Sequence, residues 1–490
     1  MLFNSPEYIF LFFPVVALFY FFLNSKQQWR TASIWLVIAS LFFYGYWNPK
    51  YIVLIVLSIG FNFLLGESLQ KNSRKLVLTI GIVLNLGFLA YYKYANFVVD
   101  NINLFLANPI QLAKIELPLA ISFFTFLQIA YLVDCYQRKV KETNFVHYAL
   151  FVTYFPHLIA GPLVHHQELM PEFSVAENKK IHWNNIFRGL CIFSIGLFKK
   201  VFIADSFAEW ARMGFDSSGT LGFVDAWGSS LSYTLQLYFD FSGYTDMAIG
   251  ASIILNIKLP INFNSPYKAL DIQDFWRRWH MTLSRWLREY LYIPLGGNRN
   301  GSFFTGINLM ITFLLGGLWH GASWNFVIWG ALHGFAVTVH RIWHTTGVRL
   351  PRSLAWFMTF MYVNIAWVFF RAKTLPDSLR MLEAMTDISS FSVSEPFANA
   401  FNYLFSFSFM PLAPQGSPPD LPVAALLYLL IFFPLCLLAP NTSEIDQRLA
   451  RADFKPTLRW CTWIAILAGI PLYQMLFLTT HVSEFIYFNF

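Results

Sequence analysis

The chain has 490 residues, 56% of them hydrophobic and only 12% charged, about half the charged share of a soluble domain. A soluble globule cannot hide that much apolar surface, so a soluble enzyme, a disordered protein and a coiled coil are excluded. The formal net charge of +7 reads as cytoplasmic loops and contacts with anionic lipid, not as nucleic-acid binding.

In chain order, apolar runs fall at 8–24, 31–47, 51–67, 76–92, 116–134, 146–163, 186–203, 223–255, 302–319, 323–343, 354–370, 421–439 and 460–479. At about 20 apolar residues per crossing, and with loops taking their share, the composition predicts about 10–12 transmembrane helices. The fold class is an all-α polytopic membrane protein. No Lys or Arg precedes the run at Tyr8 and no small-x-small site follows it, so it does not read as a cleaved signal peptide. The 223–255 run is too long for one straight crossing, and Asp240, Gly243 and Asp246 predict a break in it.

Basic loops alternate along the chain. Lys26 and Arg30, then Lys71, Arg74 and Lys75, then Arg138, Lys139 and Lys141, and finally Arg448, Arg451, Lys455 and Arg459 all read as cytoplasmic by the positive-inside rule. The N-terminus and the tail Ser483–Phe490 are then external. So is the Pro-, Ser- and Phe-rich segment 372–420, which has room for a small amphipathic or partner-contacting element. The chain reads as a single transmembrane domain, 1–490, with N-terminal helices in 1–145, a catalytic core in 146–345 and C-terminal helices in 346–490.

The middle of the chain, 150–320, does not parse into clean crossings. His157, His165, His166, Lys199, Lys200, Asp205, Asp240 and Asp246 interrupt it. Irregular backbone at membrane depth is tolerated only where protein or water surrounds it. The centre is therefore expected to be a cavity or funnel ringed by ordinary spans.

Within it, Asp271–Tyr290 predicts one amphipathic helix, with Asp271 or Asp274 as its cap. Trp279, Leu283, Trp286 and Tyr290 share one face, and Arg278, Thr282, Arg285 and Glu289 another. Arg277, Ser284 and Arg288 widen the polar side, and His280 rides on the helix. Such a helix grips lipid headgroups, or its arginines steer a phosphate-bearing donor such as coenzyme A.

The run Gly316-Gly-Leu-Trp-His-Gly-Ala-Ser-Trp-Asn325 places His320 at the end of an apolar stretch, among glycines and tryptophans. An ionisable residue at membrane depth is a functional candidate by default, and imidazole suits proton abstraction near neutral pH. The bland alternative is a neutral His packing two helices. His333, expected on a different face, and His340 and His344 read as structural. Asp240 and Asp246 line a polar path or cap the ends of a broken helix. No metal-ligand set is complete, no GxSxG elbow is present, and Cys135, Cys191, Cys436 and Cys461 form no CxxC pair.

Taken together, Phe42-Phe-Tyr-Gly-Tyr-Trp47, Phe155-Pro-His-Leu-Ile-Ala-Gly-Pro162, Tyr238-Phe-Asp-Phe-Ser-Gly-Tyr-Thr-Asp246, Asp274-Phe-Trp-Arg-Arg-Trp-His280, Tyr290-Leu-Tyr-Ile-Pro-Leu-Gly-Gly-Asn-Arg299 and Gly317-Leu-Trp-His-Gly321 carry a resemblance over nearly the whole chain. The sequence resembles the membrane-bound O-acyltransferase superfamily, and within it the bacterial branch that O-acetylates alginate, other exopolysaccharides or peptidoglycan.

The resemblance implies transfer of an acetyl group from cytoplasmic acetyl-CoA, as substrate and with no bound cofactor, to an extracytoplasmic polysaccharide from the inner membrane. It implies that His320 is the catalytic residue and His280 the second required histidine. Arg277, Arg278, Arg285, Trp319, Asn325, Asp240 and Asp246 are candidate donor- or substrate-binding residues. It further implies an external partner of the Ser-hydrolase type, with 372–420 and the C-terminal tail as its expected docking surface. Two other readings stand beside it. One is D-alanyl transfer to teichoic acid from a carrier-protein thioester. The other is a proton-coupled transporter using Asp240, Asp246 and His320 as a relay.

Overall fold

A computed structural model describes residues 1–140, 143–159, 161–217, 219–391, 423–451, 453–478 and 483–486. Every regular element among them is a helix. Among the described residues, six helices are long and apolar enough to cross a bilayer: Tyr8–Ser25, Lys50–Lys71, Lys75–Asn103, Gly301–His320, Arg352–Arg371 and Leu458–Leu478. A seventh is reached if Ala424–Leu438 and Thr442–Leu449 count as one bent span. Other apolar runs fold as shorter helices, among them Trp29–Gly45 with 17 residues and Ile121–Tyr136 with 16. The protein is an all-α, multi-pass membrane protein.

The chain forms two compact units. The first comprises Met1–Phe198, Gly243–Asn262 and Thr442–Phe490, and the second Lys199–Ser242 and Phe263–Asn441. In the first unit, polar side chains that lipid would leave unsatisfied bond between helices. Asn85 Nδ2 donates to Asn62 Oδ1 at 2.7 Å, and Ser58 Oγ to Gln128 Oε1 at 3.0 Å. Such bonds are worth about 0.6 kcal/mol each in membrane bundles. His157 and His166 are buried here, with His166 Nδ1 3.3 Å from Asp134 Oδ2.

The Phe223–Ile254 helix runs unbroken for 32 residues, about 48 Å at 1.5 Å per residue. The break predicted at Asp240, Gly243 and Asp246 does not occur. Gly196 and Gly189 instead let a neighbouring helix approach this backbone: a Cβ on Gly196 would lie 2.6 Å from Gly243 O, and one on Gly189 2.6 Å from Gly250 O. The two aspartates are accommodated by partners rather than by helix ends.

In the second unit, Asn364 of the Arg352–Arg371 helix donates to Thr234 Oγ1 at 2.7 Å and accepts from Ser230 Oγ at 3.1 Å. The amphipathic element expected in 372–420 is the Leu375–Thr386 helix. A reciprocal capping box between Thr374 and Asp377 opens it, with Pro376 in its first turn. Ser378, Met381, Ala384 and Met385 form its buried face. The rest of that expected docking segment, from residue 392, and the final residues 487–490 lie outside the described residues.

Candidate active site

The candidate site lies in the second unit, where the Gly301–His320 helix (the His320 helix) and the Trp324–Thr345 helix (the His333 helix) form a tight antiparallel pair joined by Gly321-Ala322-Ser323. Glycine sets their separation. A Cβ at Gly317 would collide with the Phe326 carbonyl oxygen, and one at Gly330 with that of Phe313. Small residues allow this backbone approach in membrane helices.

The close pairing delivers His320, the last residue of its helix, into an aromatic box. Its ring lies 5.1 Å from Trp329 and 5.0 Å from Phe370, both edge-on, and 4.9 Å from Trp319. The side chain is buried, only 3% exposed. A desolvated base at that position is chemically suited to take a proton from a hydroxyl.

His280 sits where the sequence predicts mid-helix, and the single helix over Asp271–Tyr290 is corrected here. The chain forms Ile272–Arg278 and Met281–Leu287 instead, then a π-helical turn over Arg288–Tyr292, with His280 between the first two at φ +42°. A left-handed backbone costs an L-residue roughly 1–2 kcal/mol, and such strain clusters at functional sites. Here it buries Trp279 and His280 together, with the His280 ring 4.8 Å from Phe241. Asp271 is the cap, accepting from Asp274 N at 2.7 Å. Aromatic contacts connect the two histidines' surroundings: Trp279 packs on Trp367 at 5.1 Å, Trp367 on Phe370 at 5.2 Å, and Phe370 on His320.

The other expected residues are dispersed. Arg277 is exposed and Arg285 half-buried. Arg278 Nε donates to Asp274 Oδ2 at 2.9 Å. Asn325 is buried, with Nδ2 donating to Ala372 O at 2.8 Å. Asp240 lies 2.6 Å from Lys200 Nζ, which also meets Asp205 at 2.8 Å. Asp246 belongs to the other unit, where it accepts from Thr442 Oγ1 at 2.7 Å. The reading of these two carboxylates as caps of a broken helix is thus replaced by separate internal partners. No group of three or more His, Cys, Asp or Glu suited to a metal occurs among the described residues.

One residue that sequence reasoning set aside belongs to the site. His333 lies one helical turn beyond Trp329 and packs on the same indole as His320, at 4.8 Å. The four-residue spacing from Trp329 was the available signal.

The chain is similar in sequence to known proteins. The profile of the membrane-bound O-acyltransferase family matches residues 68–375, a stretch containing His280, His320 and His333. The peptidoglycan O-acetyltransferase of Helicobacter pylori is 44% identical over 528 aligned positions, spanning 100% of this chain and 98% of that protein. The probable alginate O-acetylase of Pseudomonas aeruginosa is 42% identical, spanning 81% of this chain and 76% of the relative. The teichoic acid D-alanyltransferase of Bacillus subtilis is 28% identical over 52% of this chain. With its helical membrane architecture, its buried Leu-Trp-His-Gly histidine and this extent of similarity, the chain belongs to the membrane-bound O-acyltransferase family and is an acyltransferase.

Proposed function

We propose that this acyltransferase moves an acetyl group from cytoplasmic acetyl-CoA across the bacterial inner membrane, for O-acetylation of an extracytoplasmic polysaccharide of the alginate, exopolysaccharide or peptidoglycan kind. The carrying observation is His320, buried in an aromatic box at a helix C-terminus, in a chain similar over its full length to a peptidoglycan O-acetyltransferase. His320 takes the proton of an acceptor hydroxyl. The hydroxyl oxygen bonds to the thioester carbonyl carbon, and the carbonyl electron pair moves onto its oxygen. When that pair returns, the C–S bond breaks and the thiolate leaves with the proton from the imidazolium. Tryptophan and phenylalanine around His320 exclude water that would otherwise hydrolyse the thioester.

His280 is proposed as the second required histidine. Arg277 and Arg285 are proposed to steer the donor's phosphates, for which guanidinium geometry is suited. An external Ser-hydrolase-type protein is the proposed partner that completes delivery to the polymer. Family membership favours an enzyme over a proton-coupled transporter. D-alanyl transfer from a carrier-protein thioester has weaker support, from relatives matched over about half of the chain.

The test is CoA release from acetyl-CoA by the purified protein in nanodiscs, with and without host periplasmic extract, wild type beside His320→Ala. Wild type should release CoA, and a folded His320→Ala should lose at least ~10²-fold, the lower range for removing a general base. Equal rates would make His320 structural. Turnover of a D-alanyl carrier thioester in place of acetyl-CoA would favour the other reading.

A further inference from the structure

His333 and Trp329 carry a feature that the reaction at His320 does not yet use. Trp276 Nε1 donates to His333 Nδ1 at 3.2 Å. An indole N–H can only donate, so Nδ1 presents its lone pair and Nε2 holds the proton of a neutral ring. His333 is 0% exposed, and among the described residues its Nε2 has no hydrogen-bond partner. Trp329, 2% exposed, has the same property at Nε1. Both atoms are donors, so neither can satisfy the other. The rings lie 4.8 Å apart, and Trp329 is 5.1 Å from His320.

Buried N–H groups are nearly always paired, because each unmatched donor keeps its full desolvation penalty. Two of them, packed together beside a candidate base, are a donor pair awaiting an acceptor. The acyl-transfer step creates one. As the acceptor oxygen bonds to the carbonyl carbon, the carbonyl oxygen gains a full negative charge, and it returns that pair when the C–S bond breaks. Donors fixed in advance in a water-poor site stabilise such charge most.

We propose that Trp329 Nε1–H and His333 Nε2–H are the oxyanion donors for acyl transfer at His320, with Trp276 a positioning residue that fixes the His333 tautomer. The inference rests on the acyl-transfer reading above. Two other donors near His320 are already engaged: the Gly321 N–H bonds to Gly317 O, and Asn325 Nδ2 to Ala372 O.

The test uses the full chain in nanodiscs with acetyl-CoA, and the host strain carrying each variant as its only copy, with base-labile polymer acetate as the second readout. The variants are His333→Leu, His333→Gln, Trp329→Phe and the double His333→Leu/Trp329→Phe, beside His320→Ala, each with its melting midpoint. His333→Leu and Trp329→Phe should each lower kcat by ~10²-fold, the usual loss for one oxyanion donor, with KM little changed. His333→Gln should recover part of the loss, because its carboxamide N–H can replace the ring donor. The double variant should fall short of the product of the single losses, since both donors act on one oxygen. Wild-type kcat in a folded His333→Leu, or equal damage in His333→Gln and His333→Leu, would overturn the donor pair. If instead His320→Ala keeps full activity, or wild type neither releases CoA nor acetylates polymer, the function reading fails and this inference falls with it.

Discussion

Lys200 is held between Asp205 and Asp240, with the Lys200 and Asp240 side chains only 2% and 3% exposed. Ions this deep are retained only when paired, and removing one partner of a buried pair typically costs ~3–5 kcal/mol. Asp240→Ala should therefore lower the melting midpoint markedly, although Asp205 still faces the ammonium. The double change Lys200→Met/Asp240→Leu should regain part of that loss, because apolar replacement of a whole buried pair is often neutral. If Asp240 instead contacts substrate, Asp240→Asn should raise KM for acetyl-CoA with little change in melting. Thermal melts and KM measured on the same preparations separate these roles. The geometry favours the structural one: a carboxylate that already neutralises a lysine has less charge to offer a ligand.

The antiparallel helix pair is the element that places His320, and its glycines are where it is most easily broken. Gly330→Ala would drive a methyl into the Phe313 backbone, whereas Gly306→Ala would meet the Thr338 side-chain methyl at 3.2 Å. Overpacking against backbone costs about 1–3 kcal/mol. Gly330→Ala should thus reduce both melting midpoint and CoA release, and Gly306→Ala should reduce neither by a comparable amount. Equal behaviour of the two would mean that the pair's separation does not govern the site. Much of this element was legible in sequence. Continuous apolar runs located both helices, and the Gly-Gly-Leu-Trp-His-Gly run marked the histidine that ends the first. The Asp271 cap was also visible, as a short acceptor before a helical run. What failed depended on distant residues. The Phe223–Ile254 helix stays continuous because Lys200, forty positions upstream, receives Asp240, and no local pattern announces that. His280 adopts a left-handed backbone with neither Gly nor Asn to signal it. His333 was set aside because counting from His320 across the connecting turn loses the helical phase, whereas counting from Trp329 keeps it.

At the scale of the whole molecule, direction across the membrane decides which substrate can arrive from which side. The Lys50–Lys71 and Lys75–Asn103 helices have 22 and 29 residues, about 33 and 43 Å at 1.5 Å per residue. Both exceed the roughly 30 Å hydrocarbon core. The turn at Asn72-Ser73-Arg74 and the loop 104–120 must then lie on opposite faces. Lys71, Arg74 and Lys75 surround the turn, whereas the loop has Lys114 balanced by Glu116. The positive-inside rule predicts that the turn is cytoplasmic. Asn72 and Asn108 are both exposed, so each can report its side. With Cys135, Cys191, Cys436 and Cys461 replaced by Ser, Asn108→Cys should react with a membrane-impermeant maleimide in intact spheroplasts. Asn72→Cys should react only after permeabilisation. That labelling pattern would allow the proposed cytoplasmic thioester and external polymer to be served by one membrane enzyme. The reverse labelling pattern would invert every loop of this stretch, move the basic clusters to the external face, and oppose acetyl-CoA entry beside them.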